Sequence, residues 1–354
     1  MIKKILKRTW IILAGTIFVC AAVAAALFWN ELRSLASIRK ADDYGLFQMT
    51  YYGDYGFDEF LLTGAAGDRD IETFVTKRLL KGLPFDFNVT GGGCTVFIIR
   101  GSDREALFGR NFDFSYAPSM QVVTRPKNGY ASVSTVNLSY AGYSKDNLPS
   151  GLNVNSFLAL AAPFLPFDGM NEKGLAIALL AVPEADPPYD ANKVTLNTTT
   201  AIRLVLDKAA TVDEAVELLS RYNIYFSEGI YCHFLIGDTS GQSALVEYYG
   251  GRMQTVTTEE TYQIASNFIA YDELNIGEGF DEFERYNTVK SAIADNGGVL
   301  NTAQAIALLA EVGVMNGGED KLQWTVIYNL SSLDGVIFAH RNTDNLIDFQ
   351  LALR

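Results

Sequence analysis

The chain has 354 residues, 49% of them hydrophobic, and a formal net charge of −13. This length is sufficient for one large domain or two ordinary ones, so the size of the core is no obstacle. Because binding to nucleic-acid phosphates needs an excess of Lys and Arg, the acidic balance argues against nucleic acid as a partner.

The N-terminal segment is first basic and then continuously apolar. Lys3, Lys4, Lys7 and Arg8 precede residues 10–29, WIILAGTIFVCAAVAAALFW, and the next charged residue is Glu31. An apolar stretch of this length predicts a transmembrane signal anchor with a cytoplasmic N-terminus. The alternatives are a cleaved signal peptide, because small residues cluster at 24–26, and a buried soluble helix. With residues 1–30 as anchor or signal, we expect the rest of the chain to be membrane-anchored outside the cytoplasm or secreted.

The cysteines are too few for a disulfide framework. Cys20 lies inside the apolar segment, which leaves Cys94 and Cys232 for an exported domain. These two can form one disulfide bond or remain free. The sequence has no CxxC motif and only two histidines, so we expect no zinc site of the ordinary type.

Residues 31–93 have the character of a leader rather than of a domain. One helix is predicted at about residues 70–80, and Gly82 and Pro84 end it. About sixty residues with so little periodic apolar content make a marginal domain alone.

From residue 94 onward the pattern alternates between strands and helices. The runs TVFIIR and ALFGRNFDF predict a hairpin across GSDRE, and further strand-like runs follow. Helix starts are predicted at Thr211, which has Glu214 three residues later, and at Asn301, which has Gln304. The chain closes with three apolar or alternating runs, WTVIYNL, GVIFAHR and IDFQLAL. This order predicts an α+β fold in which helices pack on sheets as layers.

Several common catalytic motifs are missing from the sequence. There is no GxxxxGK[ST], HExxH or GxSxG, and no GxGxxG in a suitable context. His233 in YCHFLI and His340 in IFAHR are interpreted as strand residues rather than general bases. An enzyme built on this chain must therefore obtain its base from another group.

Cys94 follows three glycines in the stretch NVTGGGCTVFIIR, residues 88–100. One interpretation is an ordinary buried thiol. The other is a nucleophile, which needs a base or a positive charge beside it. A free α-amine has a pKa of about 7.7–8.0 and suits this role. It exists only if the Gly93–Cys94 bond is cut, and glycine permits the crowded geometry of that attack. On this interpretation residues 31–93 are a pro-segment.

Arg110 and Asp113 follow Cys94 in GRNFDF. They lie on opposite faces of one strand and serve one site only if the strand ends or bends between them. In that case the arginine favours the thiolate and the carboxylate holds the ammonium form of the new terminus. A solvated charge pair at a strand end is the alternative.

These residues resemble the nucleophile region of the linear amide C–N hydrolases. That family of N-terminal-nucleophile hydrolases contains bile salt hydrolases, penicillin V acylases, isopenicillin N acyltransferase and acid ceramidase relatives. DGMNEKGLAIA, IASNF, ERYNTV and the closing WTVIYNLSSLDGVIFAH are similar to further segments of the family, in the same order. The resemblance implies oxyanion donors at Asn171 and Asn267 and an arginine at Arg285 that faces the nucleophile.

The resemblance also implies the fold and the reaction. We expect a four-layer αββα sandwich in a catalytic domain spanning residues 94–354. The expected substrate is a small-molecule N-acyl amide, and no metal or cofactor is required. A leader of this length is similar to that of the acyltransferase and ceramidase groups, in which self-cleavage leaves two associated chains.

The substrate and two other functional classes remain open at this stage. Bile salts, penicillins, N-acyl amino acids and ceramide-like lipids all fit the family. A catalytically inactive, membrane-anchored binding protein with the same fold is one alternative function, and a peptidase or acyltransferase that uses Cys94 is another. The sequence also leaves open whether the chain forms a homo-oligomer.

Overall fold

The computed structural model describes residues 2–84, 87, 92–101, 105–150, 155–277, 280–316 and 319–351. The α-helices are Ile2–Leu27 (α1), Trp29–Ala36 (α2), Phe57–Phe60 (α3), Asp68–Arg78 (α4), Thr198–Lys208 (α5), Val212–Ser220 (α6), Phe280–Asp295 (α7) and Thr302–Val312 (α8). The strands are Arg39–Lys40 (β1), Leu46–Thr50 (β2), Gly93–Arg100 (β3), Ala106–Asp113 (β4), Ser119–Thr124 (β5), Ser132–Asn137 (β6), Pro166–Asn171 (β7), Ala176–Ala181 (β8), Thr195–Asn197 (β9), Asn223–Tyr225 (β10), Cys232–Gly237 (β11), Ser243–Tyr249 (β12), Arg252–Val256 (β13), Tyr262–Ala265 (β14), Phe268–Ile269 (β15), Ile276–Gly277 (β16), Met315–Asn316 (β17), Glu319–Asp320 (β18), Leu322–Asn329 (β19), Asp334–Phe338 (β20) and Ile347–Gln350 (β21).

Two sheets organise the described residues. The large sheet has nine strands in the order β1-β2-β5-β6-β7-β8-β11-β12-β13, and the small sheet has six in the order β14-β3-β4-β19-β20-β21. Within these two sheets neighbouring strands are antiparallel except for β2 and β5, which are parallel; β9 and β10 form a separate parallel pair. The predicted hairpin of β3 and β4 is confirmed and forms the centre of the small sheet.

The sheets pack face to face, with helices outside both. On β7, Asp168 points to the small sheet and binds Tyr328 of β19, whereas the next residue, Gly169, faces Leu206 of α5. On β4, Arg110 points to the large sheet and Gly109 faces Leu309 of α8. Because adjacent residues on a strand point to opposite faces, the layers run helix, sheet, sheet, helix. This mixed arrangement agrees with the layered α+β fold expected from the sequence.

The segment before residue 84 belongs to the same core as the rest of the chain. Strand β2 extends the large sheet beside β5. The side chains of Tyr55, Phe57 and Phe60 are buried, and both phenylalanines contact Phe164. The helix predicted at about residues 70–80 is present as α4. The leader predicted from the sequence is therefore a structural part of the fold.

Helix α1 contains the apolar N-terminal segment. Among the described residues, no helix combines the length and the apolar character needed to span a membrane. The transmembrane segment predicted at residues 10–29 is therefore not supported.

The predicted helix caps are present. The Thr211 hydroxyl accepts a hydrogen bond from the Glu214 amide at the start of α6. At the start of α8, Asn301 and Gln304 satisfy each other's backbone amides in a capping box.

Candidate active site

Cys94 lies near the start of β3, between the two sheets. Register pairs it with Phe112 of β4, and pairs Gly93 with Asp113. The Cys94 side chain is only 1% exposed and lines a narrow apolar cavity with Phe112, Phe167 and Leu179. The thiol is therefore held in a largely water-free space between the sheets.

Positive charge and one backbone amide lie around this thiol. The Arg110 guanidinium places Nη2 3.5 Å from Sγ of Cys94. Burial raises the pKa of the Cys94 thiol above its ordinary value, while Arg110, Arg285 and a hydrogen bond from the backbone of Ala181 oppose that rise. The two arginines therefore reduce the cost of forming a thiolate in a buried site.

The main chain of Cys94 is fixed on both sides. Its backbone N–H donates to Oδ1 of Asn267 at 2.7 Å. Its carbonyl oxygen accepts from Nη1 of Arg285 at 2.9 Å and from the Ser266 hydroxyl at 3.2 Å. The side-chain amide of Asn267 in turn donates to the carbonyl of Ala181 at 2.8 Å. Asn267 thus bridges the nitrogen of Cys94 and the end of β8.

Arg285, from α7, connects these groups to Asp113. Its Nη2 donates to Oδ1 of Asn267 at 3.0 Å, and its Nη1 lies 3.5 Å from Oδ2 of Asp113. Burial raises the pKa of Asp113 to about 6, although Arg285 and the amide of Val314 favour its carboxylate. Oδ2 of Asp113 has no hydrogen-bond donor among the described residues. The structure therefore gathers five of the predicted site residues: Cys94, Arg110, Asp113, Asn267 and Arg285.

Asn171, which the resemblance implies to be an oxyanion donor, is not gathered with these five residues and instead binds within a turn and at the end of α5. Its Nδ2 donates to the carbonyls of Leu206 and Ala209, at 3.1 and 2.7 Å. Its Oδ1 accepts from the amides of Lys173 and Leu175 in the turn between β7 and β8. These bonds use both N–H donors of the side chain, so Asn171 is a turn residue that ties β7 to the end of α5.

The glycines before Cys94 differ in their surroundings. A Cβ on Gly92 would lie 2.8 Å from the backbone oxygen of Asp113 and 3.0 Å from the ring of Phe112. A Cβ on Gly93 would meet nothing closer than 3.4 Å. Gly91 lies outside the described residues. Of the two described glycines, Gly92 is therefore the one at which a Cβ would be crowded.

A second, more polar cavity of about 440 Å³ adjoins the first. Gly92, Ala181 and Ile230 line both cavities, and Asn267 lines the second. Glu282 is the single carboxylate among the described residues that line this outer cavity, and its Oε2 is buried without a hydrogen-bond partner. The site therefore has an apolar inner part at the thiol and a polar outer part.

The family model for linear amide C–N hydrolases, choloylglycine hydrolase family, matches residues 94–307. The chain belongs to this family. The match begins at Cys94 itself, so the site described above lies within the family's region. Members of the family, by its description, act on carbon–nitrogen bonds in linear amides.

Two curated relatives of the choloylglycine hydrolase family match parts of the chain. The penicillin V acylase of Pectobacterium atrosepticum is 35% identical over 117 residues, which cover 30% of this chain and 31% of that protein. The bile salt hydrolase/transferase of Clostridium perfringens is 29% identical over 163 residues, which cover 44% of this chain and 47% of that protein. The matched stretches thus span less than half of each relative.

Solved structures of the family have a similar fold. The penicillin V acylase of Agrobacterium tumefaciens covers 70% of this chain and 83% of its own, with 21% identity and a TM-score of 0.52. A mutant of the conjugated bile acid hydrolase from Clostridium perfringens covers 73% and 92%, with 18% identity and a TM-score of 0.53. The chain therefore has the N-terminal-nucleophile hydrolase type of fold.

Sequence reasoning missed several groups at the site of this family member. Asp168 binds Arg110, Ser266 binds the Cys94 carbonyl, and the backbone of Ala181 reaches the thiol. Asp168 and Ser266 lie within the quoted segments DGMNEKG and IASNF, Asp168 three residues before Asn171 and Ser266 directly before Asn267. The other polar residues of these two segments were therefore the signal for both, whereas a backbone group leaves no signal in the sequence.

The two histidines do not serve the thiol in the described structure. His233 is a buried strand residue, as predicted, and its Nδ1 lies 2.8 Å from Oε1 of Glu247. His340 was predicted to lie in a strand but follows β20, in a turn with a positive φ of 55°. Cys94 and Cys232 are both free and line the same inner cavity.

Proposed function

We propose that this chain is an amidase that cuts its own Gly93–Cys94 bond and then hydrolyses N-acyl amides with the Cys94 thiol. The observation that carries the proposal is the set of contacts on one buried residue. Arg110 lies at its Sγ, Asn267 at its nitrogen, and Arg285 at its carbonyl oxygen.

The first step is self-cleavage. The Cys94 sulfur attacks the carbonyl carbon of Gly93, and the bond from that carbon to the Cys94 nitrogen breaks as the nitrogen takes up a proton. The resulting thioester is hydrolysed by water, which frees the Gly93 carboxylate and the thiol. The Cys94 nitrogen is an amide in the uncut chain, and it becomes the α-amine that a nucleophile without histidine needs.

Substrate turnover uses the same atoms. The α-amine takes the proton of the thiol, and the thiolate attacks the amide carbonyl. The backbone amide of Ala181, which favours the thiolate, and the side-chain amide of Asn267, which binds Ala181, are the donors that we assign to the oxyanion. The ammonium then protonates the leaving amine, and water hydrolyses the thioester. Asp113, whose backbone pairs with Gly93 and whose Oδ2 accepts no hydrogen bond among the described residues, holds the ammonium.

The outer cavity supports a small-molecule substrate. Its volume is about 440 Å³, whereas the inner cavity at the thiol, about 10 Å³, has room for one water-sized group only. The substrate therefore occupies the outer cavity and reaches the thiol past Gly92, Ala181 and Ile230, which line both cavities. Penicillin V and bile salts are substrates named for the relatives, and other N-acyl amides are equally compatible with a cavity of this size.

A panel assay tests this function. Purified protein is incubated with N-acyl amides that vary in acyl group, with released amine measured, and with Cys94→Ala as the control. We expect amine release by the natural chain alone, and an intact mass that shows cleavage after Gly93. Full activity from a chain still joined at Gly93 would refute self-activation. Activity on dipeptides but not on N-acyl amino acids would indicate the peptidase alternative.

The location of the enzyme is a separate proposal. The basic and apolar N-terminal segment supports export of residues 31–354 across the membrane. Fractionation of cells that express the full chain, with protease accessibility of the C-terminal part, tests this. Protection from external protease in intact cells would contradict export.

A further inference from the structure

We propose that Asp168 is a positioning residue that holds the Arg110 guanidinium against the Cys94 thiol from the opposite sheet. This inference rests on the proposed role of Cys94 as nucleophile. It adds a residue to the machinery that neither the motifs nor the family description assigns.

The guanidinium of Arg110 contacts two different groups. Nη1 donates to Oδ2 of Asp168 at 3.0 Å, while Nη2 lies 3.5 Å from Sγ of Cys94 and 3.4 Å from the carbonyl of Leu179. Both Arg110 and Asp168 are fully buried. Because the guanidinium is a rigid plane, fixing one nitrogen on the carboxylate fixes the other at the sulfur.

Asp168 is itself held by two neutral donors. Trp324 donates Nε1–H to Oδ2 at 3.0 Å, and the Tyr328 hydroxyl donates to Oδ1 at 2.6 Å. Burial and the charge of Asp168 raise the pKa of Tyr328 well above its ordinary value, so this hydroxyl stays protonated and remains a donor. Each carboxylate oxygen therefore has a donor on the small sheet, while Asp168 belongs to the large sheet.

Aromatic rings enclose the cation on its remaining sides. The guanidinium carbon of Arg110 lies 4.9 Å from the ring centre of Trp324, 5.0 Å from that of Phe112 and 6.0 Å from that of Phe167. Such contacts attract a cation from several directions, whereas the carboxylate defines which way its nitrogens point. Removal of Asp168 would leave a buried guanidinium with no ion-pair partner among the described residues, which favours its displacement.

The sign of one measurement distinguishes positioning from simple charge balance. If Asp168 only neutralised Arg110, its removal would leave a stronger positive field at the sulfur and would lower the pKa of Cys94. If Asp168 positions Arg110, its removal lets the guanidinium leave the sulfur, and the pKa of Cys94 rises.

The test measures the alkylation rate of Cys94 by iodoacetamide against pH in the purified full chain. The Cys94 peptide is quantified by mass spectrometry, because Cys232 is also present. For Asp168→Asn we expect alkylation at pH 7 to fall about tenfold, the effect of one pKa unit. We also expect kcat to fall about 100-fold with KM nearly unchanged. Arg110→Gln should show the same shift, and the double variant Asp168→Asn/Arg110→Gln should add nothing.

Two tyrosine variants complete the test. Tyr328→Phe keeps both charges and should give a smaller shift of the Cys94 pKa in the same direction. Tyr55→Phe is the matched control, since that buried hydroxyl donates to Asp207 elsewhere in the core. It should lower thermal stability without changing the Cys94 pKa.

A lowered or unchanged Cys94 pKa in Asp168→Asn would overturn the proposal. If Asp168→Asn does not fold, Tyr328→Phe decides in the same way, and an unchanged pKa there refutes the positioning role. The alkylation assay needs no substrate. If the natural chain hydrolyses no amide in the panel, the proposed function is refuted, but the positioning role of Asp168 is not.

Discussion

The two charged side chains at the end of β4 act on opposite sides of Cys94. Arg110 faces the large sheet and contacts the sulfur, whereas Asp113 faces α7 and lies beside Arg285. Both side chains lie near Cys94 because Cys94 pairs with Phe112, which lies between Arg110 and Asp113 at the end of β4. The thiol and the nitrogen of Cys94 therefore have separate electrostatic surroundings.

The raised pKa of Asp113 predicts a specific dependence of stability on pH in the uncut chain. A carboxyl whose folded pKa, about 6, exceeds its unfolded value binds more protons when folded. Its contribution is therefore lost as pH rises from about 4 through 6, by at most about 3 kcal/mol. Urea unfolding of Cys94→Ala and of Cys94→Ala/Asp113→Asn measures this difference. Equal slopes of unfolding free energy against pH in both variants would contradict the burial effect.

The two described glycines before Cys94 give a matched pair. Gly92→Ala places a Cβ against the backbone of Asp113 and the ring of Phe112, whereas Gly93→Ala meets only ordinary contacts. We expect Gly92→Ala to slow self-cleavage at least tenfold because it displaces the chain before the scissile bond. Gly93→Ala should cleave faster than Gly92→Ala, as followed by gel electrophoresis over time. The reverse order would show that the crowding acts at Gly93 itself.

At the scale of elements, local patterns were predictable and partners distant in sequence were not. Alternation and turn residues gave the hairpin of β3 and β4, and cap spacing gave the starts of α6 and α8. The surroundings of Asn171 were not predictable because its partners Leu206 and Ala209 lie on another element, α5 and the residue after it. An asparagine in a turn and an asparagine that stabilises an oxyanion are the same residue type in the sequence. Only their contacts with other helices and strands distinguish them.

Asn171 and Asn267 should therefore respond differently to truncation. Asn171→Ala removes two hydrogen bonds to the end of α5 and two within the turn between β7 and β8, and we expect it to lower the unfolding free energy by about 2 kcal/mol or more. Its kcat/KM should stay within about twofold of the natural value. Asn267→Ala should lower kcat/KM by about 10²–10³-fold. Amidase assays give kcat/KM and chemical unfolding gives the unfolding free energy of each variant. A large loss of kcat/KM in Asn171→Ala that is still folded would support the oxyanion role expected for Asn171.

At the scale of the whole molecule, residues 31–84 are packed into the same core as the part of the chain that follows Cys94. Strand β2 pairs with β5, and Tyr55 donates its hydroxyl to Asp207, which Arg203 also binds. Arg203 further donates to Ser132 and Ser134 of β6, so these contacts continue into the large sheet. Cutting the chain after Gly93 would break one covalent bond and leave all these contacts in place.

We therefore predict that the fragment ending at Gly93 stays bound to residues 94–354 after cleavage. Burial of one large aromatic side chain contributes roughly 1.5–3 kcal/mol, and Tyr55, Phe57 and Phe60 are all buried. Gel filtration of the cleaved protein should give one peak that contains both fragments, which separate only in denaturant. Phe60→Ala should lower the melting temperature of this complex, since such a truncation costs about 3–5 kcal/mol. A C-terminal fragment that elutes alone, folded and active, would show that the segment is a removable leader.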